Sequence, residues 1–234
     1  MLQPLSTLLR TPVLILQMGK VGSSSLETTL SKQFHGSVLH AHAFSHLPYA
    51  QQRHIRWRRR LRLPVYVISP VREPVARNIS AFFHNFQRDT GHDLAARPWT
   101  VAELTELFLR HFPHNDCLEW FDAYLRPALG IDVLSDPFPI EQKWNTYRNG
   151  SLRLLVYRTD LEPAHQLDIV SGFLGVKLDA WSFANRAADK PYAAIYQDFC
   201  ASAALPEVYL KLMYQSRYCR RFWSEAEIAV LRER

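Results

Sequence analysis

The apolar positions along the chain come in two alternating kinds of run. Val13-Leu14-Ile15-Leu16 is a continuous apolar stretch whose length and branching fit a short strand covered on both faces. Beyond it, Leu26, Leu30 and Phe34 recur at helical spacing. The alternation continues, with strand 12–17 leading to helix 23–34, strand 37–42 to a helix over roughly 47–61, and strand 64–69 to helix 73–88. Strands alternating with crossover-length helices predict an α/β fold built on a central parallel sheet flanked by helices. From about 90 to 150 the pattern becomes mainly helical. Thr100 and Glu103 make a capping box ahead of Leu104, Leu107 and Phe108, and a helix from about Asn115 to Leu129 stops at Gly130. Residues 131–150 predict irregular or short antiparallel structure around Trp144 and Tyr147. A strand returns at Leu152–Tyr157, and Asp160 is expected to cap a helix ending near Gly172 or Gly175. Helices from Ile195 complete the chain, the last opening on Ser224 with Glu227 as its capping-box partner. No repeat or linker divides the 234 residues, which suit a single domain with a mainly helical insertion about 90–150.

The first strand runs into Gln17-Met-Gly-Lys-Val-Gly-Ser-Ser-Ser25. Gly19 and Gly22 permit left-handed backbone, and Ser23, Ser24 and Ser25 offer hydroxyls at a helix start. A strand, a glycine turn and a helix N-terminus in that order form an anion cradle, to which Lys20 adds a full charge. The order departs from the nucleotide-binding loop G-x-x-x-x-G-K-[ST], because Lys20 precedes the second glycine. The strand Val65–Ile68 also runs into Ser69-Pro70, where a kinase or ATPase would place a magnesium-binding Asp. A phosphate-bearing donor that needs no metal fits this pattern. A second anion-binding segment, Arg72 to Ser80, follows strand 64–69 as directly as the first follows its own. Pro74 sets the helix start there, with Arg72 before the helix and Ser80 two turns along it. In an open parallel sheet both sites belong at the carboxyl ends of the strands.

Composition narrows the class of protein. With 47% hydrophobic and 21% charged residues, the chain is an ordinary globular one. Its apolar runs are too short to cross a bilayer, so a soluble, cytoplasmic, bacterial-type enzyme is expected, or a Golgi-lumen enzyme separated from its anchor. Cys117, Cys200 and Cys219 lack metal-ligand spacing, and an odd count argues against a disulfide framework. The net charge of +6 is local, because six arginines lie between Arg53 and Arg62. That run is either a solvated helix face or a contact for an anionic surface. It brings no nucleic-acid recognition module with it, so nucleic acid is not expected as a partner.

Three segments together resemble a family. Lys20-Val-Gly-Ser-Ser-Ser25, the Arg72 to Ser80 segment and Leu154-Leu-Val-Tyr-Arg-Thr-Asp-Leu161 resemble the landmark segments of sulfotransferases that use 3′-phosphoadenosine 5′-phosphosulfate. The tail Tyr218-Cys-Arg-Arg-Phe-Trp-Ser-Glu-Ala-Glu-Ile228 is similar to the end of the carbohydrate sulfotransferases. The resemblance implies a P-loop-like three-layer fold and transfer of a sulfuryl group to a carbohydrate hydroxyl without a catalytic metal. It implies that Lys20, Val21, Gly22, Ser23, Ser24 and Ser25 hold the 5′-phosphosulfate and that Arg72 and Ser80 hold the 3′-phosphate. Asn185, Arg186 and Lys190 would close over the donor.

In-line sulfuryl transfer needs positive charge on the departing oxygen, which Lys20 supplies, and a general base for the acceptor hydroxyl. His40 and His42, at the end of the second strand and on one face of it, are the candidates. A similar His-x-His occurs in uronyl 2-O-sulfotransferases. Glu27 and Glu73 are expected to serve their helix starts instead. Two other classes compete: a non-catalytic module that holds an anionic glycan, and a metal-dependent nucleotide kinase. Trp120, Tyr124, Trp144 and Tyr147 are expected in the core, or stacked on sugar rings.

Overall fold

The computed structural model describes residues 11–184 and 189–233. The chain forms two compact units, one of residues up to Arg72 together with Trp120–Ala184, the other of Glu73–Glu119 together with the chain after Ala184.

The first unit is built on a five-stranded sheet. Strands β1 (Pro12–Leu16), β2 (Ser37–Ala41), β3 (Val65–Val71), β4 (Trp144–Asn149) and β5 (Leu152–Arg158) lie in the order β2-β1-β3-β5-β4. All neighbours are parallel except β4 and β5, which are antiparallel. The sequence therefore predicts the α/β class and the mainly parallel sheet correctly. β1 is an interior strand and is buried at every position, as its unbroken apolar run requires. Val13, Ile15, Ile68, Leu155 and Tyr157 on one face of the sheet share a core with Leu26 and Leu30 of helix α1 (Ser23–Gln33). Ile169, Val170 and Leu174 of helix α7 (Pro163–Leu174) complete that core. Helix α2 (Tyr49–Arg60) connects β2 to β3. The chain goes from β1 to β2 on one side and then crosses to β3 on the other, so the strand order reverses and the topological switch point lies between the carboxyl ends of β1 and β3. Open sheets of this kind bind ligands there.

Two turns shape the β4–β5 edge. The hairpin register Asn149↔Leu152 leaves the two-residue loop Gly150-Ser151 with Gly150 at φ 62, a glycine-first hairpin signal that the sequence carries. Asp160 does not cap α7. Glu162 stands at its N-cap with Pro163 behind it, and Asp160 turns back to Arg158 and Lys143.

The second unit is helical and strongly aromatic. Its elements are α3 (Pro74–Thr90), α4 (Val101–His111), the start of α5 (Asp116–Trp120), α8 (Ala193–Ser202), α9 (Glu207–Tyr214), α10 (Arg217–Phe222) and α11 (Glu225–Arg232). Phe82 packs edge-on against Phe83, Phe86 and Phe108, with centroids 5.3 to 5.5 Å apart, a geometry aromatic quadrupoles favour. Both predicted capping boxes are present, at Thr100–Glu103 and Ser224–Glu227. Glu73 caps α3, accepting from the Val75 and Ala76 N–H groups at 2.6 and 2.7 Å. From α5 the chain passes through a π-helical segment, Phe121–Leu125, into the short α6 (Arg126–Leu129). Pro127, which cannot donate to the preceding turn, directly follows that register shift, and Gly130 ends the helix at φ 69.

Candidate functional site

The turn after β1 is held in backbone conformations that few residues adopt. Gly19 has φ 88, Lys20 φ 63 and Gly22 φ 72. A left-handed lysine costs roughly 1–2 kcal/mol, and such strain collects at ligand-binding sites. The Gly19 N–H within this turn is donated to the Gln17 side-chain oxygen. Helix α1 opens with Gly22 as its N-cap and no side-chain cap, and a Cβ placed on Gly22 would meet nothing within 4 Å. The positive end of the helix dipole lies at this turn. Arg72, one residue beyond β3, donates from Nη1 to the Lys20 carbonyl at 3.2 Å. The Arg72 guanidinium is thereby fastened to the main chain of the turn that carries Lys20, at the switch point between β1 and β3.

The serines divide their roles in a way their sequence does not reveal. None caps α1. The Ser25 hydroxyl accepts from Ala184 N at 3.0 Å and donates to Ala184 O at 3.3 Å, so it is engaged by the protein itself. It is the first step of a ladder along one face of α1. Thr29 Oγ1 accepts from Ser182 N at 2.9 Å, and Gln33 holds Asp179 N and Ala180 O at 2.6 and 2.7 Å. Four helical residues rise about 6 Å and two extended residues about 6.6 Å, so the two repeats stay in step. Ser23, buried to 6% exposure, points its hydroxyl instead at His40 Nε2, 3.1 Å away.

Both histidines gather at this helix start. His40 pairs with Ile15 in the sheet, and Gln17, the first residue after β1, lies between the two rings. The Gln17 side-chain oxygen accepts from the Gly19 N–H, which fixes which end of the amide carries the protons. Its Nε2 then lies 3.0 Å from His40 Nε2, to which it donates, and 3.1 Å from His42 Nδ1. His40 Nδ1 lies 2.8 Å from Glu27 Oε2. The neutral ring consistent with these neighbours carries its proton on Nδ1, donated to Glu27, and a lone pair on Nε2 toward Ser23 and Gln17. His42 is the more exposed of the two; its Nδ1 also lies 3.1 Å from the Gln17 carbonyl, and its own carbonyl accepts from Trp120 Nε1 at 2.8 Å.

Glu27 thus has a different role from the one expected. It lies beyond the first turn of α1, which holds no acid, and it serves the histidine. Gln17 was not singled out from sequence at all. The signal for both was available: Gln17 is a polar residue continuing a fully apolar strand, and Glu27 lies one turn beyond Ser23.

Other sequence candidates fall elsewhere. Ser80 lies in α3 and Lys190 just ahead of α8, both in the second unit. Asn185 and Arg186 lie outside the described residues. Trp120 and Tyr147 are buried, Trp144 packs against the core, and Tyr124 is exposed. Cys117 and Cys219 are buried and Cys200 is exposed, all as free thiols; burial pushes Cys117 up to about 11. No group of three or more His, Cys, Asp or Glu side chains among the described residues is arranged to hold a metal ion. No helix among them is long and apolar enough to cross a membrane.

Comparison with models of known protein families, with curated proteins and with solved structures finds no match for this chain.

Proposed function

We propose that the chain is a sulfotransferase of P-loop-like fold. It would move a sulfuryl group from 3′-phosphoadenosine 5′-phosphosulfate to a hydroxyl of a carbohydrate or glycoconjugate. The observation that carries this reading is a coincidence at one helix start: a strained Gly19-Lys20-Gly22 turn with Arg72 on its carbonyl, and a carboxylate-held imidazole directed at Ser23.

In this reading the donor's phosphosulfate rests on the main-chain N–H groups of the turn and the N-terminus of α1, with Lys20 at the bridging oxygen. The acceptor hydroxyl attacks sulfur in line with that oxygen. A new S–O bond forms as the old one breaks, and the electron pair leaves on the phosphate, where Lys20 and Arg72 offset its charge. The acceptor proton goes to His40 Nε2. Glu27 holds the opposite ring nitrogen and stabilises the imidazolium that results, which makes His40 the base and Glu27 its positioning residue.

The test is transfer of label from a radiolabelled sulfuryl donor to a panel of neutral and uronic-acid-containing glycans in the presence of a chelator. Transfer to at least one glycan is expected, reduced on the order of 10²-fold or more by Lys20→Ala, as for loss of a single oxyanion donor. A Lys20→Ala protein that works as well as the wild type would favour the non-catalytic module. Activity on ATP that requires magnesium would favour the kinase.

A further inference from the structure

Helix α2 is the part of the first unit that the transfer chemistry leaves unused, and its arginines fall into two groups. Arg58, at 4% exposure, sits three residues after buried Ile55 on the inner face and donates from Nε to the Pro64 carbonyl at 3.2 Å. Arg59 is half-buried and donates to the Ala128 carbonyl at 3.3 Å. These two are structural, which corrects the reading of the whole run as a single basic face. Arg53, Arg56 and Arg60 are exposed, together with Tyr49 at 72% and Trp57 at 43%. At 3.6 residues per turn, positions 49, 53, 56 and 60 share an arc of about 60°, Trp57 lies about 40° beyond it on the side of Arg53, and Arg53 to Arg60 spans roughly 10 Å of helix.

Nothing nearby in the chain neutralises this stripe. Residues 28–72 contain eight Lys or Arg and no Asp or Glu. Among the described residues none of the three exposed arginines pairs with a carboxylate. Arg56 instead lies over the Phe44 ring at 5.6 Å and donates to Gln52 at 3.2 Å. Gln52 in turn donates to the carbonyls of Ser45 and Leu47, at 3.2 and 2.8 Å, tying the start of α2 to the turn that follows His42.

We infer that the stripe binds a linear acidic polysaccharide, and that this polymer is the acceptor of the proposed transfer. Its identity as acceptor rests on the sulfotransferase reading; the binding itself does not. Arg53, Arg56 and Arg60 grip successive carboxylate or sulfate groups while Tyr49 and Trp57 lie against sugar faces. Two features choose this occupant. Every cation of α2 is an arginine and none a lysine, and the guanidinium fork matches discrete oxyanions in two-point contact, whereas a diffuse charged surface needs only charge. The exposed aromatics are interleaved with the arginines, whereas insertion into a lipid surface calls for a separate apolar face.

The experiment uses the whole chain without donor. Binding of fluorescein-labelled heparin octasaccharide and galacturonate octamer is measured across a salt series. Twenty-nucleotide oligothymidylate and phosphatidylserine-containing vesicles are run alongside. The wild type is compared with R53A/R56A/R60A and with Trp57→Ala, with circular dichroism confirming the fold of each. The triple variant is expected to bind at least one of the oligosaccharides tenfold or more weakly and to lose about two to three from the salt slope. Trp57→Ala is expected to weaken binding with the slope unchanged. The triple variant is expected to bind 3′-phosphoadenosine 5′-phosphate as the wild type does, so failure of the donor site and failure of the stripe read out separately. No binding to either oligosaccharide, or equal binding by the triple variant, would overturn the inference. Tighter binding of oligothymidylate or vesicles than of both oligosaccharides at matched salt would overturn it too, by reassigning the stripe.

Discussion

Two strand ends of the same sheet carry the charged residues that resemble sulfotransferase landmarks, and they are built in opposite ways. At the end of β5, Arg158 is 1% exposed and closes on Asp160 at 3.0 and 2.5 Å, with Lys143 Nζ 3.2 Å from the same carboxylate. The main chain there is equally closed: Arg158 N donates to Lys143 O and Thr159 N to Val71 O, both at 2.9 Å. Burial alone would raise the Asp160 pKa, but the hydrogen bonds and charge of Arg158, with Lys143 behind them, outweigh it and hold the carboxyl below its ordinary range. At the end of β1 the backbone passes through three left-handed residues, one of them a lysine, into a helix start that no side chain caps. The first arrangement uses charge to fasten strands together. The second gathers three left-handed residues in one turn ahead of a helix start, strain of the kind that collects at ligand-binding sites; a left-handed lysine alone does not separate the two ends, since Lys143 has φ 65.

The sharpest way to break this contrast is to exchange stability for function at Lys20. Lys20→Gly removes the left-handed strain and is expected to leave the midpoint of urea unfolding unchanged or raised by up to about 1 kcal/mol equivalent, while sulfuryl transfer falls by about 10²-fold or more. A stability loss without loss of transfer would make the turn structural. At β5 the sign reverses. Asp160→Asn removes the carboxylate charge that faces buried Arg158. The cost is expected to be on the order of 2 kcal/mol, between the values for surface and buried pairs because Asp160 itself is half exposed. Denaturant titration checks it, and donor affinity should not move.

Gly22→Ala probes the cradle more gently. Its Cβ meets no neighbour, so only the left-handed φ is penalised, and a loss of roughly 1 kcal/mol is expected in denaturant titration. The smallest effect concerns the second unit. Glu103 is held down to about 2, first by its hydrogen bond to Arg97 and then by those to Thr100. A depressed carboxylate contributes stability above its unfolded pKa of about 4.3 and loses it as pH falls toward the folded value. Acidification from pH 5 to 2 should therefore destabilise the wild type slightly more than Glu103→Gln.

Much of the fold was legible because the core repeats itself in the sequence. β1, β2 and β3 begin and end within about two residues of their predicted bounds, since apolar runs and 3.6-residue spacing record burial directly. Arg58 was misread as part of an exposed run, although its three-residue offset from Ile55 places it on the inner face. The cap of α7 was assigned to Asp160 because an aspartate before a helix looks like a cap; Glu162-Pro163 was the stronger signal. The site was only half legible. Gly19, Lys20, Gly22 and the two histidines stand out as types in a pattern; Gln17 and Glu27 leave only a faint local trace, a polar residue at the end of an apolar strand and an acid one turn beyond Ser23, and their partners are set by contacts with His40 that lie far off in sequence. The same holds for Ser25, Thr29 and Gln33, whose partner segment 179–184 has no periodicity of its own.

The most direct test is calorimetric titration of the protein with 3′-phosphoadenosine 5′-phosphate in the absence of magnesium, with Arg72→Ala as the comparison. The account predicts micromolar binding by the wild type that weakens at least tenfold in the variant. No binding, or binding only of ATP with magnesium, would contradict it and leave the strained turn after β1 without the ligand proposed for it.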